Sequence, residues 1–214
     1  MTKEYESNYE KVTEDWRNRF LAMDQEDLIE RFQLEHDADW LYLRYLGQPL
    51  KISCRSGEIL FADREELPGF NTVMTAYNMF YYAKEHPVAA GELVPFRQVK
   101  RVYPFERAYQ KQILEPFTRT FSGHVKELQE ACEKLGGTRL PQGDAGYRIP
   151  VYPYFDVAVL FWDKDEEFEA QGNMLFDANI TDFVHEEDVV CIAADVVQYL
   201  TQAAGLEEVK IYVG

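Results

Sequence analysis

Apolar residues recur along this chain at two spacings, and the pattern predicts an alternation of helices with short strands. Residues 3–22 carry apolar side chains every three or four positions, the spacing of one helix face, at Tyr9, Val12, Trp16 and Phe20. Asp24 is a good N-cap residue, so a second helix is predicted to run from it to Leu34. We expect residues 1–38 to form a helical segment that packs on the rest of the chain.

Three short strands are predicted to follow the helical segment. Strand-forming residues cover Trp40–Leu46 and Leu50–Cys54, on either side of the turn Gly47-Gln48-Pro49. A third strand covers Glu58–Ala62 after the turn Arg55-Ser56-Gly57. Successive strands joined by tight turns are typical of an antiparallel meander.

A helix with a broad apolar surface is predicted over Phe70–Glu85, after a break at Pro68-Gly69. Its apolar stripe consists of Phe70, Val73, Met74, Tyr77, Phe80 and Tyr81, and Met79 and Tyr82 widen it. A helix this apolar is either deeply buried, which is the commoner case, or lines a pocket. The candidate ligand-binding residues are therefore Tyr77, Phe80, Tyr81 and, from the last third of the chain, Trp162.

The middle of the chain is predicted to hold one short strand and two helices. The strand is placed near Val99–Val102. One helix begins at Pro104, which suits a first helical turn, and is expected to end at Pro116. The other is capped by Ser122 and stops at Gly136-Gly137.

The last third of the chain is predicted to combine strands with one long helix in a mixed sheet. Phe155–Trp162 is apolar on both faces apart from Asp156, a pattern typical of a central strand covered on both sides. Gly172–Asp177 is the next strand, and Glu186–Ala204 has the apolar periodicity of a helix. Glu207–Val213 alternates apolar and polar residues and is predicted to be a final edge strand.

Composition narrows the class of protein. No Gly- or Ser-rich linker divides the 214 residues, so we expect a single compact α+β domain over the whole chain. The 38 Asp and Glu residues outnumber the 22 Lys and Arg residues, giving a net charge of −16, which argues against nucleic acid or an anionic membrane as a partner. The N-terminus is charged, no apolar run reaches membrane-spanning length, and the three cysteines form no CxxC pair. We expect an acidic, soluble protein of the cytoplasm.

Charge is concentrated in two segments of opposite sign. Between Asp163 and Asp188 ten acidic residues are opposed only by Lys164. Between Arg97 and Arg119 basic residues dominate. This basic segment could bind an anion, dock on the acidic loop that begins at Asp163 of the same chain, or form a solvated helix face.

The acidic segment contains the candidate metal ligands. If the strands that flank it are neighbours, their ends would bring together Asp163, Asp165, Glu166, Asp177, Asp182 and His185. Oxygen ligands with one imidazole suit Mg, Mn or Ca, although a solvated turn is the simpler interpretation of such a run. The order of the acids does not match an EF-hand, because Phe168 stands where the loop needs glycine.

Catalytic signatures are not evident, and two classes of function stay open. The chain has no GxSxG, GxGxxG, GxxxxGK[ST] or HExxH sequence, and no cofactor signature is evident. The first class is a non-catalytic binding or accessory protein, with an aromatic-lined pocket or docking surface for a small molecule or a protein partner. The second is a metal-dependent enzyme that uses the carboxylates after Phe155–Trp162. Whether the chain is an enzyme is left open by the sequence, and the first class is favoured.

Three passages carry a resemblance to a known family. They are YLRYLGQPLKISCRSGEI (Tyr42–Ile59), GELVPFRQV (Gly91–Val99) and LFWDKDEEFEAQGNMLFDANITDFVHEEDV (Leu160–Val189). The chain resembles an uncharacterised family of proteins from anaerobic microbes, domain of unknown function 3786. Some members of that family carry an iron–sulfur segment with clustered cysteines, which this chain lacks, so that cofactor is not implied here. The resemblance implies no mechanism, but it covers the acidic loop.

Overall fold

The structure, a computed structural model, describes residues 8–207 as seven helices and nine strands. The helices of these described residues are α1 (Asn8–Leu21), α2 (Gln25–Phe32), α3 (Phe70–Tyr82), α4 (Glu106–Ala108), α5 (Glu115–Phe121), α6 (Val125–Lys134) and α7 (Glu186–Ala204). The strands are β1 (Glu35–His36), β2 (Trp40–Tyr45), β3 (Gln48–Ser53), β4 (Ile59–Phe61), β5 (Leu93–Pro95), β6 (Thr138–Arg139), β7 (Ala145–Tyr152), β8 (Phe155–Trp162) and β9 (Gln171–Asp177). The fold class is α+β, as the sequence predicts.

The predicted meander is confirmed as a four-stranded antiparallel sheet in the order β1-β2-β3-β4. Its first turn is shorter than expected, because Gln48 and Pro49 already belong to β3. Tyr45 pairs with Gln48, which leaves Leu46 and Gly47 as a two-residue turn. Both have positive φ, at 47° and 76°, as the common two-residue hairpin turns with a right-handed twist require.

The second sheet has five strands in the order β5-β9-β8-β7-β6. Every pairing in it is antiparallel, so the prediction of a mixed sheet is wrong. The prediction that Phe155–Trp162 is a central strand is confirmed, because β8 lies in the middle of the order. Its second face is only partly covered, since Asp156 forms an exposed pair with Arg148 and Trp162 is 41% exposed.

The better-covered face of the five-stranded sheet forms the centre of the hydrophobic core. Val157, Val159 and Phe161 of β8 are fully buried there. Aromatic side chains from the helical part of the molecule pack on this face, with Phe117 against Phe161 and Tyr109 against Phe176. Helix α7 packs against α3 and α6, and its predicted inward residues Val189, Val190, Ala193, Val196, Val197 and Leu200 are all buried.

The middle of the chain departs most from the prediction. Val99 and Val102 are buried but not in a strand, and the strand of this region is instead β5. Helical structure begins at Tyr103 and does not end at Pro116: it passes through a π-helical turn, Tyr109–Leu114, and continues to Phe121. Proline lacks an N–H and crowds the carbonyl four residues earlier, and the wide π turn carries the helix past it. We call residues 103–121 the broken helix.

The expected cap of the next helix is also wrong. Helix α6 starts at Val125, and its N-terminal flanking residue is His124 rather than Ser122. Ser122 Oγ instead donates to Asp163 Oδ1 at 3.5 Å. The predicted strand Glu207–Val213 lies outside the described residues beyond Glu207. Between residues 8 and 207, no helix is long and apolar enough to cross a membrane.

Candidate functional site

The edge of the five-stranded sheet is only half covered along β9. Strand β5 pairs with the last three residues of β9, joining Leu93 with Asp177 and Pro95 with Leu175. The chain then leaves the sheet, because residues 96–98 form a 3-10 turn in which Phe96 stacks on Tyr109 at 4.1 Å between ring centroids. No strand of the described residues pairs with the outer side of Gln171–Met174.

The broken helix lies close beside this open edge. A Cβ placed on Gly172 would come within 2.6 Å of the Phe117 ring and 2.7 Å of Thr118 Oγ1. Phe117 is fully buried and packs edge-on against Phe161, so its ring has no room to retreat. The glycine is therefore what allows the helix to approach β9 so closely.

Between the broken helix and the start of β9 lies a groove of about 700 Å³, within the range of small-ligand sites. We call it the β9 groove. It is lined by Gln110, Leu114, Glu115, Thr118, Arg119, Ser122, Lys164, Glu169, Ala170, Gln171 and Gly172.

The polar lining of the β9 groove is not used by the protein itself. Six of its side chains form no hydrogen bond or ion pair with any other residue between 8 and 207: Gln110, Glu115, Arg119, Lys164, Glu169 and Gln171. All six are exposed. Two cations, two carboxylates and two amides thus face one concavity, with the apolar side chains of Leu114 and Ala170 between them.

The acidic loop, residues 163–170 between β8 and β9, is held beside the groove at its first residue. Asp163 Oδ1 accepts from the N–H of Gly123 at 2.9 Å, and Ser122 donates to the same oxygen. The N–H of Asp163 in turn donates to Asp144 Oδ2 at 2.8 Å. These bonds join the loop to the two residues that follow the broken helix. Ser122 and Gly123 lie beyond Arg97–Arg119, so docking of the basic segment on the loop stays a prediction.

The structure does not bring the predicted metal ligands together. Trp162 pairs with Gln171 and Val157 pairs with Phe176, so Asp163 and Asp177 lie at opposite ends of the β8–β9 pair. We expected the strand ends to meet at one edge; this is wrong, because the two strands are antiparallel neighbours joined directly by the loop. Among residues 8–207, no group of three or more His, Cys, Asp or Glu side chains could hold a metal ion.

Most of these predicted ligands have partners within the chain. Asp165 accepts from the N–H groups of Glu167 and Phe168, and these bonds lower its pKa below the usual range. Asp177 is buried and accepts from Ala90, Gly91 and Asn179 N–H groups. Asp182 pairs with Lys84 Nζ at 2.7 Å, and His185 accepts from the N–H of Glu187 at the start of α7. Glu166 is exposed in the loop. Binding of a divalent cation stays a prediction.

The candidate ligand-binding residues fall into three places. Tyr77 and Phe80 are core residues, and Tyr77 OH donates to the carbonyl of Gly57 at 2.6 Å. Tyr81 is 50% exposed and packs on Trp16 with a centroid distance of 5.3 Å. Trp162 belongs to the opposite face of the sheet from Phe161, because side chains alternate along a strand. They therefore do not form one pocket, as far as the described contacts extend.

A buried polar seam between α3 and α7 was not foreseen as a unit. Asp195 Oδ2 accepts from Tyr45 OH and Thr72 Oγ1, both at 2.9 Å. Asp188 Oδ1 accepts from Asn78 Nδ2 at 2.7 Å, and its Oδ2 from the N–H of His185. Loss of water on burial raises the pKa of Asp188 to about 7 and that of Asp195 to about 6, and no cation of the described residues bonds to either.

Two hydroxyls and one amide oxygen of this interior have no hydrogen-bond partner among the described residues: Thr75 Oγ1, Tyr152 OH and Asn78 Oδ1. Glu186, Glu187 and Asp188 occupy the first turn of α7, where acidic side chains ordinarily favour the positive end of the helix dipole. Asp188, however, points inward and completes a capping box with His185. The signal that could have revealed the seam is the spacing of Asp188 and Asp195, two helical turns apart on the apolar face.

Gly172→Ala is expected to destabilise the protein by about 1–3 kcal/mol, because the added methyl group overlaps the buried Phe117 ring. Urea denaturation measures the loss in the free energy of unfolding. Gly69→Ser serves as the matched control, since a Cβ at Gly69 meets nothing within 4 Å and serine is a favourable helix N-cap. Equal stability of the parent and Gly172→Ala would contradict the close packing of β9 on the helix.

Comparison with known proteins identifies one family. The model of the family described as Domain of unknown function (DUF3786) matches residues 24–199, which include both sheets and every residue that lines the β9 groove. None of the curated proteins and none of the solved structures compared with the chain matches it.

Proposed function

The chain belongs to the DUF3786 family, and since that family is one of unknown function, we propose a function from the geometry: it is a non-catalytic binding protein whose ligand lies in the β9 groove. The ligand is held by hydrogen bonds and charge pairs, with no covalent step.

The observation that carries this proposal is the set of six polar side chains that line the groove without a protein partner. Surface charges are ordinarily scattered, whereas here Arg119 and Lys164 face the same concavity as Glu115 and Glu169. Binding pockets fix the orientation of their ligand with placed polar groups. The lining of this groove is mainly polar, and Leu114 and Ala170 are its larger apolar members.

The acidic loop supports a binding role more than a metal-dependent one. Asp163 and Asp165, its first two carboxylates, accept hydrogen bonds from backbone N–H groups at 2.8–2.9 Å. Those bonds fix the path of the loop beside the groove. The carboxylates therefore shape the site, and the side chains of Lys164 and Glu169 meet the ligand.

The test uses small charged probes and NMR chemical shifts of the backbone amides. Acetate, ethylammonium and glycylglycine are each titrated into the isotope-labelled protein, and shifts are expected at Ala170, Gln171 and Gly172. The double variant Arg119→Gln with Lys164→Gln is expected to lose the acetate response. Arg97→Gln, an exposed charge outside the groove, is the control and keeps it. Probes that shift only residues elsewhere, or that bind the double variant equally, would overturn the proposal.

A further inference from the structure

The backbone of β9 offers hydrogen-bonding groups to the β9 groove. The carbonyl of Phe161 accepts from the Asp144 N–H at 2.8 Å, so the backbone groups of Phe161 point toward β7. In a strand, the N–H and C=O groups of successive residues point alternately to its two sides, so those of Leu160 and Trp162 point toward β9. The backbone groups of their partners Asn173 and Gln171 point back toward β8.

It follows that the N–H and C=O of Gly172 point away from β8, toward the open edge. Continued by one residue before β9, the same alternation points the backbone groups of Ala170 to this edge as well. Met174 fits this alternation, because its N–H donates to the side chain of Asn173 at 2.9 Å rather than along the ladder. Farther along the same edge, Phe176 pairs with Val94 of β5. The open positions at Ala170 and Gly172 therefore continue the row that β5 begins.

The two cations that line the groove point to a carboxylate. Arg119 is one helical turn before Ser122, and Lys164 directly follows Asp163, whose carboxylate bonds to Ser122 and Gly123. Both cations therefore lie near the junction of Asp163 with Ser122 and Gly123. A chain that continued in the direction of β5 would run toward this junction, where its terminal carboxylate could pair with the two cations.

We propose that the β9 groove binds the C-terminal segment of a partner protein, which adds to the sheet as a short strand antiparallel to β9 with its terminal carboxylate between Arg119 and Lys164. The inference rests on the proposed function and names its ligand class. Backbone hydrogen bonds to Ala170 and Gly172 supply affinity, and Leu114 contacts a side chain of the added strand.

The experiment begins with random hexapeptides displayed with free C-termini and selected on the full-length protein. Individual selected peptides are synthesised with an N-terminal fluorescein, once as free acids and once as C-terminal amides, and binding is followed by fluorescence anisotropy. The free acid is expected to bind at least tenfold more tightly than the amide. Arg119→Gln and Lys164→Gln are each expected to weaken the acid several-fold and to leave the amide nearly unchanged.

Ala170→Pro tests the backbone contact, because proline removes the N–H and leaves the pairing of β9 with β8 intact. We expect at least a tenfold loss of peptide affinity, whereas Ala170→Ser, which keeps the N–H, binds like the parent. Melting temperatures of both variants establish that the fold persists. In the unchanged protein, hydrogen exchange of the Gly172 amide is expected to slow when the peptide is bound.

Three results would overturn the inference: acid and amide binding equally, Ala170→Pro binding like Ala170→Ser, or no protection of Gly172. If acetate and glycylglycine nevertheless shift the groove amides, the proposed function stands and only its ligand class is wrong. If a second copy of the chain fills the groove, the protein forms a dimer as its concentration rises, and the selected peptides do not displace the second copy. That outcome also overturns the inference.

Discussion

Asp195→Asn is expected to stabilise the protein at pH 8 by as much as about 3 kcal/mol and to have little effect at pH 4. The carboxylate is fully buried beside neutral partners, and loss of water raises its pKa from 3.8 to about 6. An amide has nearly the same shape, and its oxygen can still accept from Tyr45 and Thr72. The substitution therefore removes a costly charge and keeps the hydrogen bonds.

The direction of the pH dependence follows from proton binding in the two states. Between about pH 4 and pH 6 the folded protein keeps the proton on Asp195, while the unfolded chain has lost it. The stability that Asp195 contributes is thus fully present below its pKa in the unfolded chain, and it is lost as pH rises through its pKa in the folded protein. Asp195→Asn is expected to flatten that decline.

Urea denaturation of parent and variant at pH 4.5, 6 and 8 measures the difference, in which the titrations common to both proteins cancel. Asp165→Asn is the control. Two backbone hydrogen bonds lower the pKa of Asp165, so the stability that it contributes is lost only as pH falls through the folded pKa, below the pH values measured. The difference between this variant and the parent should therefore stay constant from pH 4.5 to pH 8. A variant at Asp195 that is less stable than the parent at pH 8 would show that the buried charge is favourable after all.

Phe161→Ala is expected to cost about 3–5 kcal/mol of the free energy of unfolding. Phe161 lies in the central strand, is fully buried and packs edge-on against Phe117. Removing the ring takes away its buried area and leaves a cavity that a sheet and a packed helix cannot collapse to fill. Denaturant or thermal unfolding measures the loss.

The neighbouring residue provides a matched control. Trp162 follows on the same strand, belongs to the opposite face and is 41% exposed, so Trp162→Ala is expected to cost well under half as much. Losses of similar size at both positions would mean that the two faces of the sheet are buried alike, which contradicts the described packing.

The elements that the sequence predicts best are those whose periodicity is long and uniform. The bounds of β8 and α7 agree with the prediction at both ends, because a strand with seven apolar residues among eight and a helix of nineteen residues leave few alternatives. The sequence predicts that the broken helix ends at Pro116, because proline ordinarily terminates a helix. The helix continues to Phe121, and the π turn that accommodates the proline has no simple sequence pattern.

The candidate site was harder to predict, because tertiary structure creates it. The open edge at Gly172 depends on where β5 leaves the sheet, and the metal hypothesis depended on which strand ends meet. Neither is encoded within a window of neighbouring residues. Spacing does hold a signal for Asp188 and Asp195, but burial of a carboxylate is rare, and acids at the start of a helix ordinarily favour the positive end of the helix dipole.

The π turn at Tyr109–Leu114 has a consequence for insertions and deletions. A π turn holds one more residue than the α turn it replaces, and each residue of an α-helix advances by about 100°. The wide turn therefore absorbs one residue that would otherwise rotate everything downstream by that angle. Deleting one residue there should restore an α turn and leave Phe117 against Gly172 and Arg119 in the groove. A one-residue deletion farther along the broken helix would instead turn both away, so a family member that is one residue shorter should keep this groove only if the missing residue lies in the π turn.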